Sequence, residues 1–135
     1  MATKNYLLDT HCLIWFQENN PNIPSRVMDK IQDTENTIFF SQVSLFEIAI
    51  KQKIGKLPDF TADLSEVYQQ AIADDFTFLP INNQHLFSYQ AIPLLQQHKD
   101  PFDRLLLATA YQENAIMLSV DENFRCYAEL VEVFW

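Results

Sequence analysis

Glycine is nearly missing from this chain: Gly55 is the only one in 135 residues. Glycine-rich phosphate cradles, whether of the dinucleotide or the Walker type, need several glycines at fixed spacing so that backbone N–H groups can approach a phosphate. A nucleotide cofactor held in that way is excluded. Cysteine is scarce as well. Cys12 and Cys126 lie in apolar or aromatic surroundings and form no Cys-x-x-Cys pair and no Cys/His set with zinc spacing. Both are expected to be core thiols. Basic side chains number nine against eighteen acidic ones, for a formal charge of -9. A polyanion meets a net repulsive field, which argues against a passive nucleic-acid coat. The same surplus suits a chain that holds divalent cations, docks a basic partner or simply stays soluble. No run approaches the ~20 apolar residues of a membrane span. The opening MATKNYLLDT also lacks a basic region followed by a long apolar segment. The expected location is the cytoplasm, with no membrane partner.

What the chain does contain is apolar patterning. Hydrophobic residues make up 48% of it, enough for a sizeable core in one domain spanning residues 1–135. Short β-branched, aromatic or leucine runs alternate with longer segments of helical period, which predicts an α/β domain around a mostly parallel sheet flanked by helices. The expected strands are Tyr6–Leu8, Thr37–Ser41, Phe76–Ile81, Ile116–Val120 and Leu130–Phe134. Helices are expected at His11–Glu18, Ser25–Asp33, Val43–Ile54, Ala62–Asp74, Gln84–Gln90 and Pro101–Asn114, with a short one over Glu122–Tyr127. Gly55 fits the left-handed residue that ends a helix. Pro101 fits a first helical position behind the capping residue Asp100.

Four carboxylates stand where carboxylates are unusual. In "HKDPFDRLLLATA" a wheel of ~100° per residue places Asp103 on the same side as Leu106, Leu107 and Ala110. In "SQVSLFEIAIKQKIGKL" Glu47 lies within the stripe of Val43, Phe46, Ile50 and Ile54, where a charge is costly unless paired or metal-bound. Its structural alternative is an i,i+4 pair with Lys51. "YLLDTH" and "IMLSVDENF" are apolar strands that run into Asp9 and Asp121. Each acid alone reads as a helix cap, and Asp103 also complements a helix dipole. Together they read differently, because the carboxyl ends of strands in an open parallel sheet line one crevice where ligands bind. Asp9 and Asp121 belong at that edge, and Glu47 and Asp103 lie early in helices that start from it. An all-oxygen set suits Mg²⁺ or Mn²⁺ and not a soft metal. Such sites take further ligands from water and substrate phosphate, which points to phosphoester chemistry.

In this order the motifs "LLDTH", "SLFEIAIKQKIGKL", "HKDPFDRLLLATA" and "LSVDENF" resemble the PIN-domain family of metal-dependent ribonucleases over nearly the whole chain. The wording "DTHCLIWF", "SLFEIAIKQKIGKL" and "DPFDRLL" is similar to the small VapC-type toxins of toxin–antitoxin pairs. The resemblance implies a flavodoxin-like, PIN-like sheet and a catalytic and metal-binding site of Asp9, Glu47, Asp103 and Asp121. It implies endonucleolytic cleavage of RNA by a metal-activated water, with Mg²⁺ or Mn²⁺ as cofactor. It also implies a homodimer and a cognate small VapB-like antitoxin whose tail lies over the site; a basic antitoxin would complement the -9 charge. Thr10 and Ser119 match supporting hydroxyl positions.

Other residues carry weaker expectations. Arg104, Lys51 and Lys53, with Lys56, are candidates for contacting substrate phosphate, or else solvated helix surface. His11 matches a residue type seen in the toxin subgroup, while His85 and His98 read as surface residues. Most aromatic rings belong to the core and not to a base-stacking platform; Trp15 and Trp135 either pack inside or help form a groove. Three alternatives stand beside the nuclease. A haloacid-dehalogenase-like phosphatase would use Asp9 as nucleophile, but has a second Asp where His11 stands. A phospho-receiver would show an adjacent acidic pair after the first strand and a late lysine. The third is a catalytically silent interaction domain of the PIN fold.

Overall fold

The structure, a computed structural model, describes residues 3–95 and 100–135. Among these, five strands form one sheet: β1 (Asn5–Leu8), β2 (Thr37–Ser41), β3 (Thr77–Leu79), β4 (Ile116–Leu118) and β5 (Val133–Phe134). Their order is β3-β2-β1-β4-β5, and every pairing is parallel. The helices are α1 (Thr10–Gln17), α2 (Ser25–Gln32), α3 (Gln42–Lys53), α4 (Leu64–Ala73), α5 (Asn83–Tyr89) and α6 (Pro101–Glu113), and a 3-10 helix covers Glu122–Tyr127. The expected α/β architecture is present, with β3, β4 and β5 shorter than the apolar runs that announced them. Ladder pairing defines these limits: Leu118 of β4 faces Leu8, the last residue of β1, and Phe134 of β5.

The central strand explains its own sequence. Successive side chains of a strand point to opposite faces, so in β1 Tyr6 and Leu8 join one apolar cluster and Leu7 the other. A strand buried on both faces reads as a continuous apolar run. On the first face Cys12 and Leu13 of α1, Val27 and Ile31 of α2, Ile48 of α3, and Val67 and Ala71 of α4 complete the core. The second is filled by Leu106, Leu107 and Ala110 of α6, with Phe124 and Tyr127 of the 3-10 helix.

With one glycine available, the left-handed residues after helices are mostly borrowed. Gly55 ends α3 with φ 76°, but Asn19, Asp75 and Asn114 take φ of 53°, 64° and 52° after α1, α4 and α6. Asn and Asp tolerate this region best among residues with a Cβ. At all four ends the next N–H reaches back five residues: Asn20 to Trp15, Lys56 to Lys51, Phe76 to Ala71 and Ala115 to Ala110, at 2.9, 2.9, 3.0 and 2.9 Å. These bonds satisfy carbonyls that a helix end leaves open.

The topology singles out one place. The chain moves outward from β1 to β2 and β3, then returns to lay β4 on the other side of β1. The carboxyl ends of β1 and β4 therefore flank the point where the winding reverses, the position at which open α/β sheets bind ligands.

Candidate functional site

Asp9 is the residue that follows β1. Its backbone is tied to the neighbouring strand by a 3.1 Å bond from Asp9 N–H to the Leu118 carbonyl. Asp9 caps α1, since its Oδ1 accepts from Cys12 N–H at 2.7 Å. Its Oδ2 accepts a hydrogen bond from the Ser119 hydroxyl, and Ser119 Oγ in turn accepts from Asp121 N–H at 3.0 Å. Burial pushes the Asp9 carboxyl up to about 6, and the negative charge of Asp103 works in the same direction; the bonds from Ser119 and Cys12 and the nearby His11 only partly offset this. A buried carboxylate in this state lacks sufficient positive charge around it.

The second half of the site is built by α3. The Thr10 hydroxyl donates to Glu47 Oε1 at 2.7 Å and lies 2.9 Å from Ser44 Oγ, while Glu47 Oε2 pairs with Lys51 Nζ at 2.9 Å. Thr10, Ser44 and Glu47 are all buried. Ser44 was not singled out in the sequence; its one signal is the position three residues before Glu47, on the same helical face. That face differs from the expected stripe. Val43, Ser44, Glu47 and Ile48 are the buried residues of α3, whereas Phe46 and Ile54 are 59% and 60% exposed. The inner face thus follows the polar contact with α1, and the apolar side chains of Phe46 and Ile54 turn outward.

Asp103 sits half-buried in the first turn of α6, beneath the buried Leu106 and Leu107. Asp100 caps that helix, its Oδ1 accepting from Phe102 and Asp103 N–H at 2.8 and 3.2 Å. Asp121 caps the 3-10 helix through Asn123 N–H at 2.9 Å. The structure therefore builds two hydrogen-bonded groups, Asp9 with Ser119 and the Asp121 backbone and Glu47 with Thr10 and Ser44, which meet through the adjacent residues Asp9 and Thr10; Asp103 lies within electrostatic reach of Asp9. Among the described residues no three acidic, histidine or cysteine side chains are grouped closely enough to hold an ion as they stand. The fit to a divalent cation lies instead in donor chemistry and charge: the side chains offered are oxygen donors, and Asp9 has a charge that its protein neighbours do not meet.

Several expected roles change. Arg104 does not reach toward phosphate. It is buried, donating to the Ile92 and Pro93 carbonyls at 2.7 Å each and to the Tyr89 hydroxyl at 3.2 Å, with its guanidinium over the Tyr89 ring. At least three of its five N–H donors go to the end of α5 and the segment that follows it. His85 is not a surface residue: it is fully buried, accepts from Asn82 N–H at Nδ1 and meets Glu113 Oε2 at 2.8 Å through Nε2. Cys126 is exposed, so only Cys12 is a core thiol. His98 lies outside the described residues. Lys51 is held by Glu47, while Lys53 and Lys56 are exposed on and after the last turn of α3. Lys56 and His11 line a hollow of about 230 Å³ with Trp15 and Phe60. Trp15 packs on Trp135 with ring centroids 6.0 Å apart, both partly buried against the core. Two larger hollows, of about 370 and 380 Å³, lie around Phe16 and Asp74 and contain none of the four acids.

Comparison with known proteins agrees with this fold. The family model of the PIN domain matches residues 6–130. Among solved structures, VapBC2 from Rickettsia felis bound to a DNA fragment from their promoter is similar with a TM-score of 0.70 at 16% identity, covering 97% of this chain and 98% of that one. VapBC-1 from nontypeable Haemophilus influenzae gives 0.63 at 16% identity, with 96% of each chain covered. FitAcB from Neisseria gonorrhoeae gives 0.61 at 19%, again with 96% of each chain covered. At these identities the likeness is one of fold. Among curated protein sequences none matches the chain.

Proposed function

The chain belongs to the PIN domain family, a family of nucleases, and on that premise we propose that it is a divalent-metal-dependent endoribonuclease, the VapC-type toxin of a toxin–antitoxin pair. Family membership sets aside the dehalogenase-like phosphatase and the phospho-receiver. The observation that carries the reading is Asp9: a buried carboxylate at the winding reversal of a parallel sheet, pushed up to about 6 by burial and by Asp103. Asp9, Glu47, Asp103 and Asp121 would hold Mg²⁺ or Mn²⁺. When bound, such an ion lowers the pKa of a water and stabilises charge developing at phosphorus.

The chain's own residues have distinct tasks in this reading. Ser119 fixes Asp9 Oδ2 and Thr10 fixes Glu47 Oε1, so both carboxylates are oriented before a ligand arrives. Asp103 and Asp121 are only half-buried, which leaves them within reach of an entering phosphodiester. Lys51 and Lys53 supply local positive potential on a chain of charge -9; Arg104 is withdrawn from that group. A homodimer and a small basic antitoxin laid over the acids complete the reading; for the antitoxin alone, the support is that solved structures sharing the fold are VapBC structures.

The test is incubation of the purified protein, freed of antitoxin, with total RNA and Mn²⁺ or Mg²⁺, against EDTA and against Asp9→Asn and Asp103→Asn. Discrete products that require metal and disappear in both variants are expected. Variants that cut as well as the parent would show the activity or the site to be misassigned. Absence of cleavage by folded protein, with or without metal, would favour the silent interaction domain.

A further inference from the structure

Glu47 has both carboxylate oxygens occupied, and its two partners are unlike. Oε1 takes the hydroxyl of Thr10, which is buried, at 2.7 Å. Oε2 takes the ammonium of Lys51 at 2.9 Å, from a side chain that keeps 29% of its surface exposed against 7% for Glu47. The hydroxyl is fixed by its helix and by Ser44. The ammonium sits on a flexible four-carbon stem whose head can return to water. Any cation held by Glu47 must share or take an oxygen, and Oε2 is the one whose occupant can leave.

We infer that Lys51 is an exchangeable counter-charge: it neutralises Glu47 Oε2 in the metal-free protein, releases it to a divalent cation, and then offers its ammonium to the RNA phosphate. The inference rests on the metal-dependent reading above. Three physical points support it. A lysine ammonium beside a divalent ion is repelled, so the two cannot share Oε2 closely. Residues four apart on a helix remain neighbours whichever way their side chains swing, so the released ammonium stays at the mouth of the site. A net-acidic chain also needs a local cation for phosphate, and Arg104 is committed elsewhere. Lys51 thereby couples the two ligands: it opposes the metal when RNA is absent and favours RNA once the metal is in place.

The experiment measures Mn²⁺ binding by titration calorimetry without RNA, for the parent, Lys51→Met and Lys51→Arg, with thermal melts to confirm folding. Lys51→Met is expected to bind Mn²⁺ about two- to fivefold more tightly, the factor set by losing a partly exposed ion pair. Lys51→Arg, whose fork grips a carboxylate with two N–H groups, is expected to bind it more weakly than the parent. Followed at 4 °C in the first moments after mixing, before cleavage accumulates, a labelled single-stranded RNA should bind Lys51→Met less well than the parent in Mn²⁺. The slope of log affinity against log salt should fall by about one. Unchanged or weaker Mn²⁺ binding by Lys51→Met would overturn the inference and make Lys51 an orienting partner of Glu47. An unchanged salt slope would overturn its second half. A parent that binds no Mn²⁺ at all would overturn the metal-dependent reading itself, together with this inference.

Discussion

Two regions of the molecule bury ionisable groups, and they treat them in opposite ways. Along α5 and α6, Arg104 has carbonyl partners from Ile92 and Pro93 and a stacking ring from Tyr89, and His85 has Asn82 on one nitrogen and Glu113 on the other. Each group is hydrogen-bonded where it lies, as buried polar groups in a stable core must be. At the carboxyl ends of β1 and β4, Asp9 is equally buried and accepts one hydrogen bond on each carboxylate oxygen. Yet its ionised form is opposed by burial and by another carboxylate. Charge satisfied by the protein marks structure; charge left for a ligand marks a candidate site.

The sharpest way to break this contrast is Asp9→Asn. If Asp9 is held against its own preference, the variant should lose RNA cleavage by about 1000-fold or more, the scale of several kcal/mol of metal-assisted stabilisation. Its metal-free form should melt no lower than the parent at pH 7.5. A variant that loses both activity and stability would place Asp9 with the structural groups. Arg104→Met should show the converse. Removing two charge-assisted bonds to buried carbonyls should cost about 3 kcal/mol of stability, read by chemical denaturation, while Mn²⁺ affinity of the folded protein stays close to that of the parent. A change in Mn²⁺ affinity without loss of stability would return Arg104 to the site.

The third effect is a pH dependence whose sign follows from Asp9. Its ordinary value of 3.8 applies to the unfolded chain, and about 6 to the fold. The fold therefore favours the neutral carboxyl. This contribution to stability is fully present below about 3.8 and is lost as pH rises through about 6. A cation favours the ionised form, so the rise in melting temperature on adding Mn²⁺ should be larger at pH 7.5 than at pH 5. Equal shifts at both values would mean that the ion binds without Asp9. The smallest effect is expected for Glu113→Gln, which keeps an acceptor for His85 Nε2–H: a loss of about 1 kcal/mol or less, with cleavage unchanged.

These contrasts also separate what could be read from the sequence from what could not. The apolar runs of β1, β2 and β4 and the Pro101 start of α6 announce themselves, because burial on two faces and a fixed φ leave local marks. The acids were legible for a similar reason: Asp9 and Asp121 interrupt apolar strands at their ends, and Asp103 shares a wheel with leucines. The face of α3 was not legible. A wheel shows that Val43, Phe46, Ile50 and Ile54 align, yet Ser44 and Glu47 turn inward because Thr10, thirty-four and thirty-seven residues away in the chain, supplies their partner. Arg104 and His85 were not legible either, because nothing in the residues beside them shows that buried acceptors, the Ile92 carbonyl and Glu113, wait for them.

By itself, then, the sequence determined which segments alternate as strand and helix and which carboxylates are out of place, since both follow from local periodicity. It also settled the near-absence of glycine, though not that Asn19, Asp75 and Asn114 would take up the left-handed turns. Only the tertiary structure decided the strand order that sets β4 beside β1. The same holds for the pairing of Glu47 with Thr10 and Lys51, and for the withdrawal of Arg104 into the α5–α6 flank. Those depend on partners far apart in the chain, and a hydrogen bond between distant residues leaves no periodic trace in either of them.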